Sequence, residues 1–132
     1  MSEENVNLLR QGYEAFNRGD IDAVMGIMDP DIEWQEPDTE GWPQRGTHHG
    51  PEAIANNVFE TVPEHWDEFQ AVPEEFLDAG EHVIVLGHFH ATGKATGKTI
   101  DAPYAHVWKV RDGKGVYHRN YVDTATVLEA LG

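Results

Sequence analysis

The first half of the chain carries apolar residues at the three- and four-residue spacing of amphipathic helices. A helix is predicted over about residues 3 to 18, where the apolar positions are Val6, Leu9, Tyr13 and Phe16. Asp20 is placed to cap a shorter second helix, which Pro30 prevents from continuing. A third helix is predicted after Gly50, because apolar residues then recur every four positions until Pro63.

From Trp66 onward the apolar period changes towards two, which is the period of β-strands. Strands are predicted over about residues 31–36, 67–78, 81–92, 99–111 and 115–123. Turn-forming sequences such as Asp112-Gly113 separate the later strands, and the turn-rich segment 37–50 is predicted to be a loop. Helices followed by hairpin-linked strands indicate an α+β fold, formed by a single domain over residues 1–132.

Charge and composition exclude several classes of function. The chain has 24 acidic against nine basic residues and a formal net charge of −15, so no nucleic-acid partner is expected. A surface with this much negative charge fits either a protein adapted to high salt, where screening relieves the repulsion, or an ordinary soluble acidic protein. Cysteine is absent, the amino terminus lacks the features of a signal peptide, and no apolar run could form a membrane helix. We therefore expect a cytoplasmic protein without a membrane partner.

The strand over residues 99–111 offers the clearest alternation of faces. Tyr104, His106 and Trp108 are predicted to face inward. If Asp112-Gly113 is a two-residue hairpin loop, His106 lies opposite Arg119, and residues opposite one another share a face. That register predicts four further inward side chains: Tyr117, Arg119, Tyr121 and Asp123. A one-residue bulge would reverse their orientation.

Charged side chains in an inward row are costly to bury, so the row has two interpretations. It is either the polar end of an ordinary core or the wall of a pocket. Glu36 and Asp38, near the end of the first strand, are further candidates for a site, although exposed loop acids are the ordinary explanation. The aromatic residues predicted to bind substrate, or else to pack a plain core, are Tyr13, Phe16, Trp34, Tyr104, Trp108 and Tyr117.

Histidines occur as the pair His88-x-His90 on one strand and as His48-His49 in the loop. No acid stands beside His88 and His90 at a recognisable ligand spacing, and two ligands alone make a poor metal site. We therefore expect no metal. The row formed by these histidines is interpreted as the outer or dimer-facing side of the sheet.

Four stretches of the sequence resemble one known family. They are GYEAFNRGDIDAVMGIMDPDIEW, GPEAI, TGKTIDAPYAHVWKVRDGKGVYHRNYVDTA and a final short helix. The run HVWKVRDGKG followed by Arg119-x-Tyr121-x-Asp123 is the most specific. In these features the chain resembles the SnoaL-like polyketide cyclases and the relatives of steroid delta-isomerase. The resemblance implies helices packed on a strongly curved, mostly antiparallel sheet, a cone with an internal pocket. It also implies a homodimer and no cofactor.

The same resemblance implies an isomerase or cyclase acting on a small apolar or carbonyl-containing molecule. A carboxylate would remove a proton next to the carbonyl, and Asp123 matches the position of that base. His106, Arg119 or Tyr121 would stabilise the enolate oxygen. Family members also include dehydratases, epoxide hydrolases and non-catalytic binding or dimerisation modules, and the sequence leaves these alternatives open.

Overall fold

The computed structural model describes residues 2–132, and in this stretch four of the five α-helices precede the last four strands. The elements, in chain order, are α1 (Ser2–Asn17), α2 (Ile21–Gly26), β1 (Met28–Glu36), β2 (Gly46–His49), α3 (Pro51–Ile54), a π-helical turn (Ala55–Phe59), α4 (Val62–His65), β3 (Trp66–Ala79), β4 (His82–Gly93), β5 (Thr99–Arg111), β6 (Lys114–Val122) and α5 (Thr124–Leu131). None of the helices in this stretch has both the length and the apolar character needed to cross a bilayer.

The helices form where the apolar spacing predicted them, but their ends differ. Leu9 and Tyr13 are buried along one face of α1, and Asp20 caps α2 by accepting a hydrogen bond from the Ala23 amide at 3.1 Å. The second helix ends at Gly26, and the chain is already extended in β1 before it reaches Pro30. The predicted third helix is divided into α3, the π-helical turn and α4.

Six strands form one curved, open sheet in the order β2-β1-β6-β5-β4-β3. Neighbouring strands are antiparallel except β1 and β6, which are parallel. The α+β prediction with a curved, mostly antiparallel sheet is therefore confirmed. The predicted loop over residues 37–50 contains a short edge strand, β2, whose His48 pairs with Trp34 of β1.

A β-bulge determines which side chains of β6 reach the core. The Asp112-Gly113 turn has positive φ at both residues, which is typical of a two-residue hairpin, as predicted. Beyond Gly115 the register shifts, so that Lys109 pairs with Tyr117 and Val116 is the extra residue. Because side chains alternate between faces, one extra residue exchanges the inner and outer faces of the rest of β6.

The predicted inward orientation of Tyr117, Arg119 and Tyr121 is therefore wrong. These three residues lie on the outer face of the sheet, whereas His118 and Asn120 point inward and are buried. Strand β5 lies upstream of the bulge and keeps the predicted orientation, with Tyr104, His106 and Trp108 all buried. The inner row thus has different chemistry from the predicted one, with a second histidine and an asparagine in place of an arginine and a tyrosine.

Candidate active site

A cavity lies between the inner face of the sheet and the helices. Its volume is about 100 Å³, compared with roughly 10–15 Å³ for one water molecule on the same measure. Most of its wall is aromatic or aliphatic, including Phe16, Trp34, Phe59, Trp66, Phe69 and Trp108. The polar residues of the wall are Tyr13, Glu36, Gln44, His106, His118 and Asn120, together with the indole N–H groups. The wall contains no lysine or arginine.

Glu36 brings a carboxyl group into this apolar wall. Strand β1 ends at Glu36, which is only partly buried as a whole residue, but its carboxyl oxygens are held by side chains around the cavity. Oε2 accepts a hydrogen bond from Trp34 Nε1 at 2.7 Å, and Oε1 accepts from Trp42 Nε1 at 3.0 Å and from Asn120 Nδ2 at 3.2 Å. Burial raises the pKa of Glu36, although these three hydrogen bonds oppose the shift.

A second polar group is built around His106. Trp108 Nε1 donates a hydrogen bond to Tyr13 Oη at 3.0 Å, and Tyr13 Oη lies 2.5 Å from His106 Nδ1. Burial raises the pKa of Tyr13 well above its ordinary value and lowers the pKa of His106 to about 3. The tyrosine therefore keeps its proton and the imidazole is neutral near pH 7.

The hydrogen bonds around Tyr13 assign the tautomer of His106. Trp108 can only donate, so Tyr13 Oη accepts from it and is free to give its own proton to His106 Nδ1. Since Nδ1 accepts, the single proton of the neutral ring lies on Nε2. That atom is buried and makes no hydrogen bond of good geometry in the described chain, although Asn120 is close enough to raise the pKa of His106. His106 consequently offers an N–H donor on its far side.

His118 and Asn120 complete the polar part of the wall. Asn120 lies directly opposite His106 in the β5–β6 pair, and His118 lies opposite Trp108. The His118 ring stacks on the Trp34 ring with centroids 3.6 Å apart. Burial lowers the pKa of His118 well below its ordinary value, and the neighbouring His106 lowers it further.

Asp123, the predicted base, lies outside the cavity. It is exposed and serves as the N-cap of α5, where its carboxylate accepts from the Thr126 hydroxyl at 2.6 Å and the Thr126 amide at 3.2 Å. These hydrogen bonds hold the pKa of Asp123 below its ordinary value. Its predicted inward position is wrong, because the bulge turns the end of β6 and the helix begins immediately afterwards.

The other predicted catalytic residues of β6 also point away from the cavity. Arg119 is exposed and donates to Gln35 Oε1 at 3.1 Å, with its guanidinium 4.8 Å from the Tyr121 ring centroid. Tyr121 is 50% exposed. Of the four residues predicted to be catalytic, only His106 lines the cavity.

The predicted substrate-binding residues divide in the same way. Four of them line the cavity: Tyr13, Phe16, Trp34 and Trp108. Tyr104 faces inward and stacks on His106, with centroids 3.9 Å apart, but is not part of the cavity wall. Tyr117 is on the outer face. Of the two loop-acid candidates, Glu36 lines the cavity and Asp38 forms an exposed ion pair with Arg45 at 2.6 Å.

The histidines of β4 lie on the outer face of the sheet, as predicted. His88 Nδ1 is 2.7 Å from an Asp101 oxygen, and His90 Nδ1 is 3.7 Å from the same oxygen. Across residues 2–132, no group of three or more histidine, aspartate and glutamate side chains has an arrangement that could hold a metal ion. These histidines therefore lie beside surface carboxylates and not in the cavity wall.

Comparison with known proteins agrees with the fold. Residues 9–118 match the SnoaL-like domain, so the chain belongs to the SnoaL-like domain family. An NTF2-like protein from Burkholderia thailandensis E264 is 35% identical, with a TM-score of 0.88 over 96% of this chain and 95% of that one. TerC, co-crystallised with polyporic acid, is 29% identical, with a TM-score of 0.89 over 97% of this chain and 98% of TerC.

A curated relative matches a shorter part of the chain. Patulin synthesis protein F of Aspergillus clavatus is 29% identical over 93 residues, which are 68% of this chain and 46% of that protein. The chain thus spans about half the length of the curated relatives it matches.

Sequence reasoning missed His118, Asn120 and Trp42 as parts of this wall. The register assumed from the sequence placed His118 and Asn120 on the outer face of β6. The bulge reverses that assignment, and the sequence does not reveal the bulge. Trp42 lies in the turn-rich segment, and no periodicity indicated that its indole would return to Glu36.

Proposed function

We propose that the cavity is the active site of an enzyme that transfers a proton next to a carbonyl group of a small, largely apolar molecule. The observation that carries this proposal is the Glu36 carboxyl, which sits in an aromatic wall and is held by three uncharged donors. Because its pKa is raised, the Glu36 carboxylate is a stronger base than an ordinary glutamate. Its pKa still lies below that of a C–H group next to a carbonyl, so it can release the proton again after abstraction.

In the proposed step, Glu36 Oε2 removes a proton from the carbon next to the carbonyl. This oxygen accepts one hydrogen bond, whereas Oε1 accepts two, so Oε2 keeps a lone pair for the proton. The C–H bonding electrons form a carbon–carbon double bond, and the carbonyl electron pair moves onto oxygen. Where the substrate also carries a carbon–carbon double bond in the β,γ position, the enolate is a conjugated dienolate. The protonated Glu36 then returns the proton to the γ-carbon, the carbonyl re-forms and the double bond ends in the α,β position, which completes an isomerisation.

The enolate oxygen is stabilised by His106 Nε2–H. A neutral imidazole is a suitable donor, since it gives a hydrogen bond without transferring its proton outright. Tyr13 fixes the donor, because its hydrogen bond to Nδ1 places the ring proton on Nε2. His106 thus keeps the role expected from the sequence, whereas Glu36 takes the role expected of Asp123.

The comparisons support a small-molecule ligand. TerC was crystallised with polyporic acid, and patulin synthesis protein F belongs by name to the production of a small molecule. A dehydratase would use the same first step and then expel a hydroxide. An epoxide hydrolase would need Arg119 and Asp123 inside the cavity, and we do not propose that activity.

The proposal is tested with 1-tetralone, a flat ketone with exchangeable protons next to its carbonyl. NMR in deuterated water measures deuterium incorporation at that carbon. We expect the wild type to exceed the buffer rate and Glu36→Gln to lose at least about 100-fold of the enzymatic rate. Glu33→Gln, on the outer face of the same strand, is the matched control and should keep it. Equal rates for wild type and Glu36→Gln, or a wild-type rate equal to buffer, would overturn the proposal.

We also propose that the protein forms a homodimer through the outer face of the sheet. Apolar residues on that face include Val72, Ile84, Leu86 and Val107, and Val72 is 37% exposed. The net charge of −15 opposes association at low ionic strength. Analytical ultracentrifugation should therefore give a dimer at about physiological salt and a larger monomer fraction in dilute buffer. A monomer under all salt conditions would overturn this proposal.

A further inference from the structure

His118 is a fully buried polar residue that the proposed proton transfer does not use. Its relative exposure is 1%, and it is among the largest fully buried side chains of the protein. Its ring stacks on the Trp34 indole, with centroids 3.6 Å apart, and meets the Trp108 indole edge to face, with centroids 4.5 Å apart. Neither ring nitrogen has a hydrogen-bond partner in the described chain, although the residue lines the cavity.

Packing alone does not explain a histidine at this position. A phenylalanine would stack on Trp34 equally well and would carry no polar atoms. A neutral imidazole has one N–H donor and one acceptor nitrogen, and a buried group without partners is destabilising. Because both nitrogens of His118 lack protein partners, the natural partner is a molecule held in the cavity.

Two further polar atoms belong to the same wall. They are His106 Nε2 and Asn120 Oδ1, on directly opposed residues of β5 and β6; neither has a hydrogen bond of good geometry, although Asn120 is close enough to act on His106 as a hydrogen-bond partner that raises its pKa. His106 Nε2 carries a proton and donates, whereas an amide oxygen can only accept. Together with His118, the wall therefore offers both donors and acceptors within one patch of the sheet.

This combination restricts the ligand. The acceptor nitrogen of His118 needs a ligand group that donates, and a ketone alone has none. A negatively charged ligand would lie beside the Glu36 carboxyl in a wall without lysine or arginine. A flat, uncharged molecule with a hydroxyl group and a carbonyl group fits the wall best.

We infer that His118 is a specificity-determining residue, which binds a hydroxyl group of an uncharged, flat hydroxy-ketone. The inference rests on the proposed function for the orientation of the ligand, with the carbonyl oxygen at His106 and the hydroxyl group at His118. It adds a contact that proton abstraction by itself does not require.

Binding of matched probes tests the role of His118 separately from catalysis. The probes are 6-hydroxy-1-tetralone, 6-methoxy-1-tetralone and 6-carboxy-1-tetralone, titrated at pH 6.5 while the tryptophan fluorescence is followed. We expect the wild type to bind the hydroxy compound about tenfold more tightly than the methoxy compound, since one buried hydrogen bond is lost. The ionised carboxy compound should bind at least about tenfold more weakly than either.

His118→Phe should bind the hydroxy and methoxy probes with affinities within about twofold of one another. His118→Gln, which keeps an amide donor and acceptor, should retain part of the preference and covers the case in which the phenylalanine variant does not fold. A purely structural role would change the melting temperature but leave the ratio of the two affinities intact. An unchanged ratio in both variants, or no preference in the wild type, would overturn the inference.

Glu36→Gln separates this inference from the proposed function. The variant should keep the preference for the hydroxy probe while it loses deuterium exchange. If exchange in the wild type does not depend on Glu36 but the preference depends on His118, the proposed chemistry fails and the specificity residue stands. If exchange depends on Glu36 and the preference does not depend on His118, the reverse holds.

Discussion

Asn120 Nδ2 donates a hydrogen bond to Glu36 Oε1 at 3.2 Å, and so connects strand β6 to the carboxylate at the end of β1. The contact exists because the bulge at Val116 turns Asn120 inward. A donor to a carboxylate stabilises its ionised form, and the pKa of Glu36 would rise further without Asn120. This relationship makes the register of β6 a determinant of the chemistry in the cavity.

Replacing Asn120 by alanine should therefore make Glu36 harder to ionise. We expect the pH midpoint of tetralone exchange to move upward by about one unit, since a hydrogen bond to a charged group is worth about 1.5–3 kcal/mol. The midpoint is read from exchange rates between pH 4 and 9. Arg119→Ala, the adjacent outer-face residue, is the control and should leave it unchanged. A downward shift in Asn120→Ala would contradict the assigned contact.

The buried histidines should make the protein sensitive to acid. The pKa of His106 is lowered from 6.5 to about 3, so between these values the unfolded chain binds a proton that the folded chain does not. The resulting stability is present above pH 6.5 and is lost as the pH falls towards 3, by up to about 1.4 kcal/mol per pH unit for one histidine.

Urea unfolding at several pH values measures this dependence. His106→Phe should have a shallower decline below pH 6.5 than the wild type, even if it is less stable at pH 7. Glu36 acts in the opposite direction, because its raised pKa gives stability that is lost as the pH rises from 4.5 through its folded value. Parallel curves for His106→Phe and the wild type would contradict a buried neutral histidine.

Asp123 should matter for stability but not for exchange. Asp123→Ala removes both contacts to Thr126 and should lower the melting temperature, whereas Asp123→Asn keeps a capping side chain and should lower it less. Both variants should exchange 1-tetralone at the wild-type rate. Loss of exchange in Asp123→Asn at an unchanged melting temperature would return the role of base to Asp123.

Gly87 leaves space for the Tyr104 ring, which stacks on His106. A Cβ at this position would lie within 2.5 Å of Tyr104 Oη and still closer to the Val72 carbonyl oxygen. Gly87→Ala should therefore destabilise the protein by about 1–3 kcal/mol in chemical denaturation, since backbone and ring must move apart. Gly26→Ala, where no atom lies within 4 Å of the added carbon, is the control and should be near neutral.

Local patterns were sufficient to predict most of the fold. The helical spacing of α1, the alternation in β4 and β5 and the Asp112-Gly113 turn each depend on residues close in sequence. The parallel pairing of β1 with β6 and the strand β2 depend on distant segments, and the sequence contains no local signal for either.

The candidate site was harder to predict, because it depends on a single inserted residue. The Gly115 amide donates to the Ile27 carbonyl at 2.8 Å, and a Cβ on Gly115 would lie 3.1 Å from the Trp108 ring. These long-range contacts occur where the register shifts, and nothing within the hairpin itself indicates them. The prediction that His106 faces inward is correct, because β5 lies upstream of the register shift. The orientations predicted for residues 117–123 from their pairing with β5 are wrong, because these residues follow the shift.

Titration of the Glu36 carboxyl carbon by ¹³C NMR tests the central claim most directly, with Glu36→Gln used to assign the signal. We expect the Glu36 carboxyl to titrate above the ordinary value of 4.5, because its burial outweighs its three hydrogen bonds. A midpoint at or below 4.5 would show a carboxylate that water or a cation stabilises, and the proposed base would be contradicted.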